Sequence, residues 1–163
     1  MGLTVYGQGQ SRALRTLWMA EELGIDFKHV PTRFADEAKT PEFKKINPNG
    51  RVPAIDDDGF VVWESMAVNL YLAKKYGGDL GPKDLEEDAT ATQWSFWVMT
   101  EVEKTLLQAL FHTLGIMNVE KDAAKAAACL EELEPAFTVL NGALEGKEYL
   151  MMREDDVLGV VEK

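Results

Sequence analysis

Residues 47–77 read NPNGRVPAIDDDGFVVWESMAVNLYLAKKYG, with a proline at position 53 where a strand is expected to begin. The stretch 47–49 is typical of a turn, and the residues after Pro53 are apolar. Proline has no N–H to donate to a neighbouring strand, and it stiffens the chain. Taken alone, this pattern predicts a trans proline that opens a strand at the edge of a sheet.

The residues after Pro53 predict a β-hairpin followed by a helix. Ala54-Ile55 begins a strand, DDDG at 56–59 has the composition of a hairpin turn, and FVVW at 60–63 returns as the partner strand. From 65 to 76 the apolar residues recur at helical spacing, and two glycines then end the helix.

The residues before this stretch predict a strand, a helix, a second strand and a short helix. Residues 3–6 are a short β-type run. Ser11 is a natural N-cap and Gly24 a natural stop for the helix between them. The alternating residues 26–30 predict the second strand, and Pro41 predicts a short helix in an otherwise ambiguous polar segment.

The first of these helices is amphipathic. Leu14, Leu17 and Trp18 lie on one helical face, and Ala13 and Ala20 broaden it. The elements therefore follow the order strand, helix, strand, short helix, strand, strand, helix. This order predicts one α/β layer, which is small enough to require support from a second module.

The net charge of −11 is carried by the second half of the chain. Residues 1–78 contain ten Lys+Arg and ten Asp+Glu, whereas residues 79–163 contain seven and eighteen. This change in composition near Gly77-Gly78 predicts two domains, an α/β domain at 1–78 and a second domain at 84–163. An acidic second half excludes nucleic acid as the main partner, because phosphates require a basic surface.

Cysteine and histidine are rare in this chain. Cys129 is the single cysteine, which excludes an internal disulfide and fits a reducing compartment, so we expect a cytoplasmic location. With only His29 and His112 as further soft ligands, we expect no metal site. No apolar run is long enough to span a bilayer, and the first residues lack the features of a secretory signal, so no membrane association is expected.

The second domain is predicted to be helical. Residues 84–115 read as one long helix and 119–145 as another, with Pro135 as a kink or a break. The apolar stripe of the long helix is predicted to comprise Trp94, Trp97, Val98, Val102, Leu106 and Leu110. The side chains of Trp94, Phe96, Trp97, Met99 and Phe111 are interpreted as helix packing, with a substrate box as the alternative.

Two stretches of the sequence resemble cytosolic glutathione S-transferases. The NPNGRVPAI…ES…YL pattern of residues 47–77 is similar to the glutathione-binding stretch of that family. YGQGQSRALRTLWMAEELGIDF at 6–27 is similar to the opening of the bacterial serine-type members. The resemblance covers residues 3–150 and implies a thioredoxin-like domain with Pro53 in the cis form, followed by an all-α domain.

The resemblance also implies a site for the glutathione backbone. The N–H and C=O of Val52, exposed at the turn formed with Pro53, would pair with the cysteinyl residue like an added strand. Ser65 would bind the γ-glutamyl carboxylate at a helix N-terminus, and Glu64 would face the γ-glutamyl amine. Both residues could instead serve only as helix caps.

Ser11 is the predicted catalytic residue. Only the thiolate of glutathione attacks well, and a hydroxyl at a helix N-terminus lowers the thiol pKa by donating a hydrogen bond to the sulfur. Arg51 is expected to contact glutathione, and Lys39 is a candidate for its glycyl carboxylate, with an ion-paired surface lysine as the alternative. Tyr6, a weaker candidate for the chemistry, is interpreted as a core or wall residue.

The resemblance fails near the C-terminus. After Tyr149-Leu150 the family has a Gly-Asp turn and a Thr/Ser-x-Ala-Asp motif that opens a buried helix, whereas this chain reads MMREDDVLGVVEK at 151–163. We therefore expect a truncated or divergent helical domain. Lost partners for several apolar side chains, at about 1.5–3 kcal/mol each, predict a weakened or aggregation-prone protein.

Three functions are consistent with these residues. The first is a glutathione S-transferase that joins the glutathione thiolate to a small hydrophobic electrophile, acting as a homodimer as the family mostly does. The second is a glutathione-dependent isomerase, dehalogenase or disulfide oxidoreductase on the same fold, although the absence of a cysteine at position 11 disfavours the last. The third is a non-catalytic module that binds other proteins.

Overall fold

The computed structural model describes residues 2–145 and separates the chain into two compact units, with the division between Lys83 and Asp84. The divergent stretch that the sequence places after Tyr149-Leu150 lies outside the described residues. Within the described part of the chain, no helix is both long and apolar enough to cross a membrane.

The first unit contains a four-stranded mixed sheet in the order β2-β1-β3-β4. β1 pairs in parallel with β2 and antiparallel with β3, and β3 pairs antiparallel with β4. The strands are β1 (Leu3–Tyr6), β2 (Phe27–Val30), β3 (Ala54–Asp57) and β4 (Phe60–Trp63). The parallel pair requires a crossover connection, which a helix between β1 and β2 provides.

Three α-helices accompany this sheet. They are α1 (Ala13–Glu22), α2 (Pro41–Lys44) and α3 (Ser65–Tyr76), and single 3₁₀ turns lie at Glu37–Lys39 and Gly78–Leu80. The predicted boundaries of α3 are confirmed, as is the start of α2 at Pro41, where the Thr40 hydroxyl caps the helix by accepting from the Phe43 N–H.

The core of the first unit lies between the sheet and the helices α1 and α3. Alternate strand residues point to opposite faces, so Val5 is fully buried against the helices while Tyr6 packs on the other face. The buried members of the main cluster are Leu3, Val5, Ile55, Val68 and Leu72.

The apolar face predicted for α1 is buried only in part. The buried residues are Ala13, Thr16 and Ala20, whereas Leu14 is 53% and Trp18 64% exposed. Small side chains allow a close approach of α1 to its neighbours. The buried face of the helix is therefore narrower and more polar than the positions of its largest apolar residues predict.

Two predicted boundaries shift by one or two residues. β3 continues through Asp57, so the hairpin turn is formed by Asp58 and Gly59 alone, with φ of 52° and 91°. α1 begins at Ala13 rather than directly after Ser11. The stop at Gly24 is confirmed, since this residue follows the last helical turn with φ of 61°.

Asp57 is buried beneath α3 and receives three hydrogen-bonding side chains. Lys75 Nζ lies 2.6 Å and the Tyr71 hydroxyl 2.7 Å from Oδ2, and the Tyr76 hydroxyl lies 2.8 Å from Oδ1. Burial opposes ionisation, but the hydrogen bonds from these three partners outweigh it and hold the pKa of Asp57 below its usual value. This cluster fastens β3 to the last turn of α3.

The second unit is helical in its described part. Its helices are α4 (Leu85–Trp97), α5 (Glu103–Leu114), α6 (Ala123–Glu132) and α7 (Glu134–Leu144), and a π-helical turn at Val98–Val102 joins α4 to α5. The predicted single helix over 84–115 is therefore interrupted by that turn. Pro135 lies in the first turn of α7, so the break predicted there is confirmed.

The apolar stripe predicted for 84–115 is only partly buried. Val102 is 6% exposed, but Leu106 and Leu110 are each 44% exposed. Phe96, interpreted as helix packing, is 68% exposed, so that interpretation is wrong for this residue. Trp94 and Trp97 do pack edge to face, with ring centroids 5.1 Å apart.

Candidate functional site

Gly7 brings the loop before β3 against the start of α1. It follows β1 with φ of 132°, and a methyl group added there would overlap the Cβ of Ala13 and lie 3.1 Å from the Cβ of Val52. Only glycine allows this approach. The predicted backbone-pairing residue Val52 therefore lies beside the first turn of the helix that follows Ser11.

Ser11 lies in the turn immediately before α1 and is half-buried. Its hydroxyl donates to the carbonyl of Gln8 at 2.8 Å and accepts from the N–H of Ala13 at 3.1 Å. The Oγ thus lies at the N-terminus of α1, where the helix dipole favours a negative charge. Its proton points to a backbone carbonyl and is available to a ligand only after the hydroxyl rotates.

Asn47 organises the loop that carries Val52, a role that the sequence did not reveal. Its side chain is 1% exposed, its Nδ2 donates to the carbonyl of Arg51 at 2.7 Å, and its Oδ1 accepts from the N–H of Asn49 at 3.0 Å. An amide can satisfy both contacts because it carries a donor and an acceptor. The loop shape is therefore set by one buried side chain.

The Val52–Pro53 peptide bond is cis, as the family resemblance implies. Pro53 is buried and Val52 half-buried, whereas the Arg51 side chain is exposed. In the described part of the chain, the N–H and C=O of Val52 make no backbone hydrogen bond to another residue. These two backbone groups are thus without a backbone partner in the described residues, next to the start of α1 and beside the exposed Arg51 side chain.

Lys39 reaches toward the same loop from the 3₁₀ turn. Its Nζ donates to the carbonyl of Gly50 at 2.6 Å, and its side chain is exposed. Gly50 has φ of 59° and packs closely against the carbonyl of Ala38 and the side chain of Lys44. This hydrogen bond goes to a backbone carbonyl and not to a carboxylate, so it is not the ion pair that the alternative interpretation of Lys39 proposed.

Glu64 and Ser65 form the start of α3. Glu64 has φ of 75°, a conformation that non-glycine residues rarely adopt and that is concentrated at ligand-binding sites. Its carbonyl accepts the N–H of Val68, while its exposed carboxylate makes no capping hydrogen bond. The cap interpretation therefore fails for the Glu64 side chain.

Ser65 is 3% exposed and is contacted from α1. Nη1 of Arg15 donates to its Oγ at 3.3 Å. Close by, the amide of Asn69 joins the two helices, because its Oδ1 accepts from the Thr16 hydroxyl at 3.1 Å and its Nδ2 donates to the carbonyl of Arg15 at 3.2 Å. The N-terminal halves of α1 and α3 are therefore fixed to each other.

Arg15 was not identified from the sequence. The available signal was its position four residues after Ser11, which places the two residues on one side of the first helical turns. Asn69 gave no such signal, because a polar residue inside an amphipathic helix usually faces solvent.

The remaining candidates have structural roles. Tyr6 packs edge-on to Phe43 with ring centroids 5.9 Å apart, and burial, together with Asp56, raises the pKa of its phenol. A ring nitrogen of His29 contacts the carbonyl of Gly7 at 2.7 Å, and one of His112 contacts that of Glu120 at 3.2 Å. Across residues 2–145, no group of three or more His, Cys, Asp or Glu side chains is placed to hold a metal ion.

The sheet order, with α1 and α3 packed on the sheet, defines a thioredoxin-like domain that is followed by helical segments. The family model of the glutathione S-transferase N-terminal domain matches residues 1–74. The crystal structure of the theta class glutathione S-transferase from the citrus canker pathogen Xanthomonas axonopodis pv. citri, with glutathione bound, matches with a TM-score of 0.82 at 30% identity. The match covers 93% of this chain and 75% of that one.

Two curated proteins of Drosophila melanogaster are also similar. Glutathione S-transferase D6 is 29% identical over 163 residues, which are 98% of this chain and 74% of that protein. Glutathione S-transferase D7 is 32% identical over 154 residues, which are 93% of this chain and 66% of that protein. The chain belongs to the glutathione S-transferase family.

Proposed function

We propose that this protein is a glutathione transferase that joins the sulfur of glutathione to a small hydrophobic electrophile. The observation that best supports this function is the close packing around Gly7, which brings the backbone of Val52 beside the start of α1. A tripeptide bound along Val52 would thereby present its central cysteine to the turn that contains Ser11. The glutathione bound in the similar Xanthomonas protein supports this assignment.

In this proposal Ser11 stabilises the thiolate. The hydroxyl rotates from the Gln8 carbonyl to the sulfur and keeps the hydrogen bond that it accepts from the Ala13 N–H. A donated hydrogen bond and the N-terminus of α1 both favour the charged sulfur, so both lower the thiol pKa. The thiolate then attacks the electrophile, and Ser11 forms no covalent bond itself.

The other site residues bind the peptide. The N–H and C=O of Val52, in the loop closed by Pro53, pair with the cysteinyl backbone, and Ser65 donates to the γ-glutamyl carboxylate at the N-terminus of α3. Glu64 faces the γ-glutamyl amine. The exposed cations Arg51 and Lys39 flank the loop and suit the polar and glycyl ends of the ligand.

We further propose that the protein acts in the cytoplasm and as a homodimer. The single cysteine, Cys129, and the family support the first statement, and the family supports the second. Light scattering of the purified chain tests the assembly, with twice the mass of 18.2 kDa as the expected result.

A second candidate function is a module that binds glutathione without activating it. The bond from the Ser11 hydroxyl to the carbonyl of Gln8 favours this alternative, because a hydroxyl that keeps this bond cannot donate to the sulfur. The two functions differ in whether binding ionises the thiol.

Calorimetric titration with glutathione in buffers of different ionisation enthalpy separates the two functions. Proton release on binding near pH 7, with conjugation of 1-chloro-2,4-dinitrobenzene, is the result expected of a transferase. Binding without proton release supports the second candidate. A folded chain that does not bind glutathione contradicts both.

A further inference from the structure

We propose that Arg15 is a positioning residue that orients the Ser65 hydroxyl toward the γ-glutamyl carboxylate of glutathione. The inference rests on the proposed function, because Ser65 is assigned to that carboxylate there. Its structural basis is the 3.3 Å contact between Arg15 Nη1 and Ser65 Oγ, which joins residues fifty positions apart in the sequence.

The direction of this hydrogen bond decides what Ser65 can do. A guanidinium only donates, so the Ser65 oxygen must accept and its own proton remains available for another acceptor. A carboxylate only accepts, so it is the complementary partner for that proton. Without Arg15, the buried hydroxyl is free to rotate into orientations that do not face the ligand.

Arg15 also contributes charge where the carboxylate would lie. Its side chain is half-buried, and the positive charge of a guanidinium is delocalised over a planar group. Partial burial weakens solvent screening, so the guanidinium strengthens the positive potential of the α3 N-terminus.

The guanidinium is held in place by the contacts between the two helices. The backbone carbonyl of Arg15 accepts from the Asn69 amide, and its neighbour Thr16 donates to the same side chain. Asn69 and Ser65 both belong to α3, one helical turn apart. The position of Arg15 over Ser65 is therefore defined at its backbone as well as at its tip.

Glutathione analogues that lack one γ-glutamyl group each provide the test. Wild type, Arg15→Gln and Arg33→Gln are titrated calorimetrically, as the full chain, with three ligands. The first is glutathione. The second, glutaryl-cysteinylglycine, keeps the γ-glutamyl carboxylate but lacks the amine, and the third, 4-aminobutyryl-cysteinylglycine, keeps the amine but lacks the γ-glutamyl carboxylate. Arg33→Gln is the matched control, because Arg33 forms exposed ion pairs with Asp36 and Glu37.

We expect Arg15→Gln to weaken binding of the two ligands that carry the γ-glutamyl carboxylate about tenfold, since a hydrogen bond to a charged group contributes about that much. Its affinity for 4-aminobutyryl-cysteinylglycine should equal that of wild type, and Arg33→Gln should not differ from wild type with any ligand. An equal loss for all three ligands overturns the proposal, because it indicates a structural role. Unchanged binding of glutathione by Arg15→Gln overturns it as well.

Arg15→Lys keeps the test decisive if Arg15→Gln does not fold. Lysine retains a charged donor but not the planar guanidinium. We therefore expect a smaller loss of affinity that is still confined to the two ligands with the γ-glutamyl carboxylate. A folded Arg15→Lys protein without that selectivity contradicts the proposal. A folded wild type that binds none of the ligands instead overturns the proposed function itself, and the positioning role with it.

Discussion

The side-chain amide of Asn47 donates to the backbone carbonyl of Arg51 at 2.7 Å, and this contact joins the two ends of the loop that leads to β3. Asn47 is almost fully buried, whereas Arg51 turns its own side chain to solvent. The relationship shows how a buried polar group holds a loop whose outer surface remains free for a ligand.

Replacement of Asn47 by Ala should destabilise the first unit and disturb the loop. The change leaves the Arg51 carbonyl and the Asn49 N–H without their partner, at a cost of about 1–3 kcal/mol. The free energy of unfolding from urea titration measures this loss. Asn49→Ala is the matched control, because the Asn49 side chain is exposed, and it should change stability by less than about 0.5 kcal/mol. Equal stability of the two variants would refute the anchoring role.

Gly7 should not tolerate a side chain. Alanine there would overlap the Ala13 Cβ at a φ that L-residues rarely adopt, so we expect a loss of about 2–4 kcal/mol. Gly9→Ala, two residues away, meets no atom within 4 Å and should leave stability nearly unchanged. Chemical denaturation of both variants makes the comparison. If Gly7→Ala is as stable as Gly9→Ala, the packing of Val52 against the start of α1 is not as described.

Ser11→Ala should separate chemistry from binding. Loss of a hydrogen bond to a charged sulfur corresponds to a decrease in kcat of about tenfold to a hundredfold, with little change in glutathione affinity. The pH dependence of kcat should shift upward, because the bound thiol loses its stabilising donor. Ser95→Ala is the control, since its hydroxyl donates to the Ala91 carbonyl within α4. A Ser11→Ala enzyme with unchanged kcat would exclude the proposed role.

Asp57 should make stability depend on pH in the acidic range. Its folded-state pKa is lowered, so the stabilisation is fully present above the unfolded value of 3.8 and is lost as the pH falls through the lower folded value. Asp57→Asn should therefore be less stable than wild type near pH 6, by about 1–3 kcal/mol for the weakened hydrogen bonds. The difference should shrink below pH 3.8. Urea unfolding across this range measures it.

Asp58→Asn serves as the control for that experiment. Asp58 is exposed in the hairpin turn with φ of 52°, a conformation that asparagine accepts readily. Its unfolding free energy should follow wild type at every pH. If the unfolding free energies of Asp57→Asn and wild type differ by the same amount at every pH, ionisation of Asp57 does not stabilise the fold as described.

The order and type of the elements in the first unit were predictable because short-range signals specify them. Pro41, Gly24 and the alternation of residues 26–30 each indicate a local conformation, and the structure has the expected element at each place. The candidate residues Ser11, Val52 and Ser65 followed from motifs within two short stretches. Their assignment to glutathione remains a proposal.

Long helices of the second unit were less predictable. The pattern over 84–115 contains no glycine or proline before its end, so nothing local indicated the π-helical turn at Val98–Val102. The burial of Val102 and the exposure of Leu106 depend on which neighbouring helices cover each face. A helical repeat predicts that a face is apolar, but it does not determine what packs on it.

The sequence by itself determined the strand and helix order of the first unit and the hairpin, because turns, caps and periodicity act within a few residues. The cis form of Pro53 was implied by the family resemblance, since the local pattern alone predicts a trans proline. The tertiary structure alone decided that α1 buries Thr16 and leaves Leu14 and Trp18 exposed, and that Arg15 contacts Ser65. Such contacts join residues distant in the chain, and their formation depends on how closely the two helices can approach.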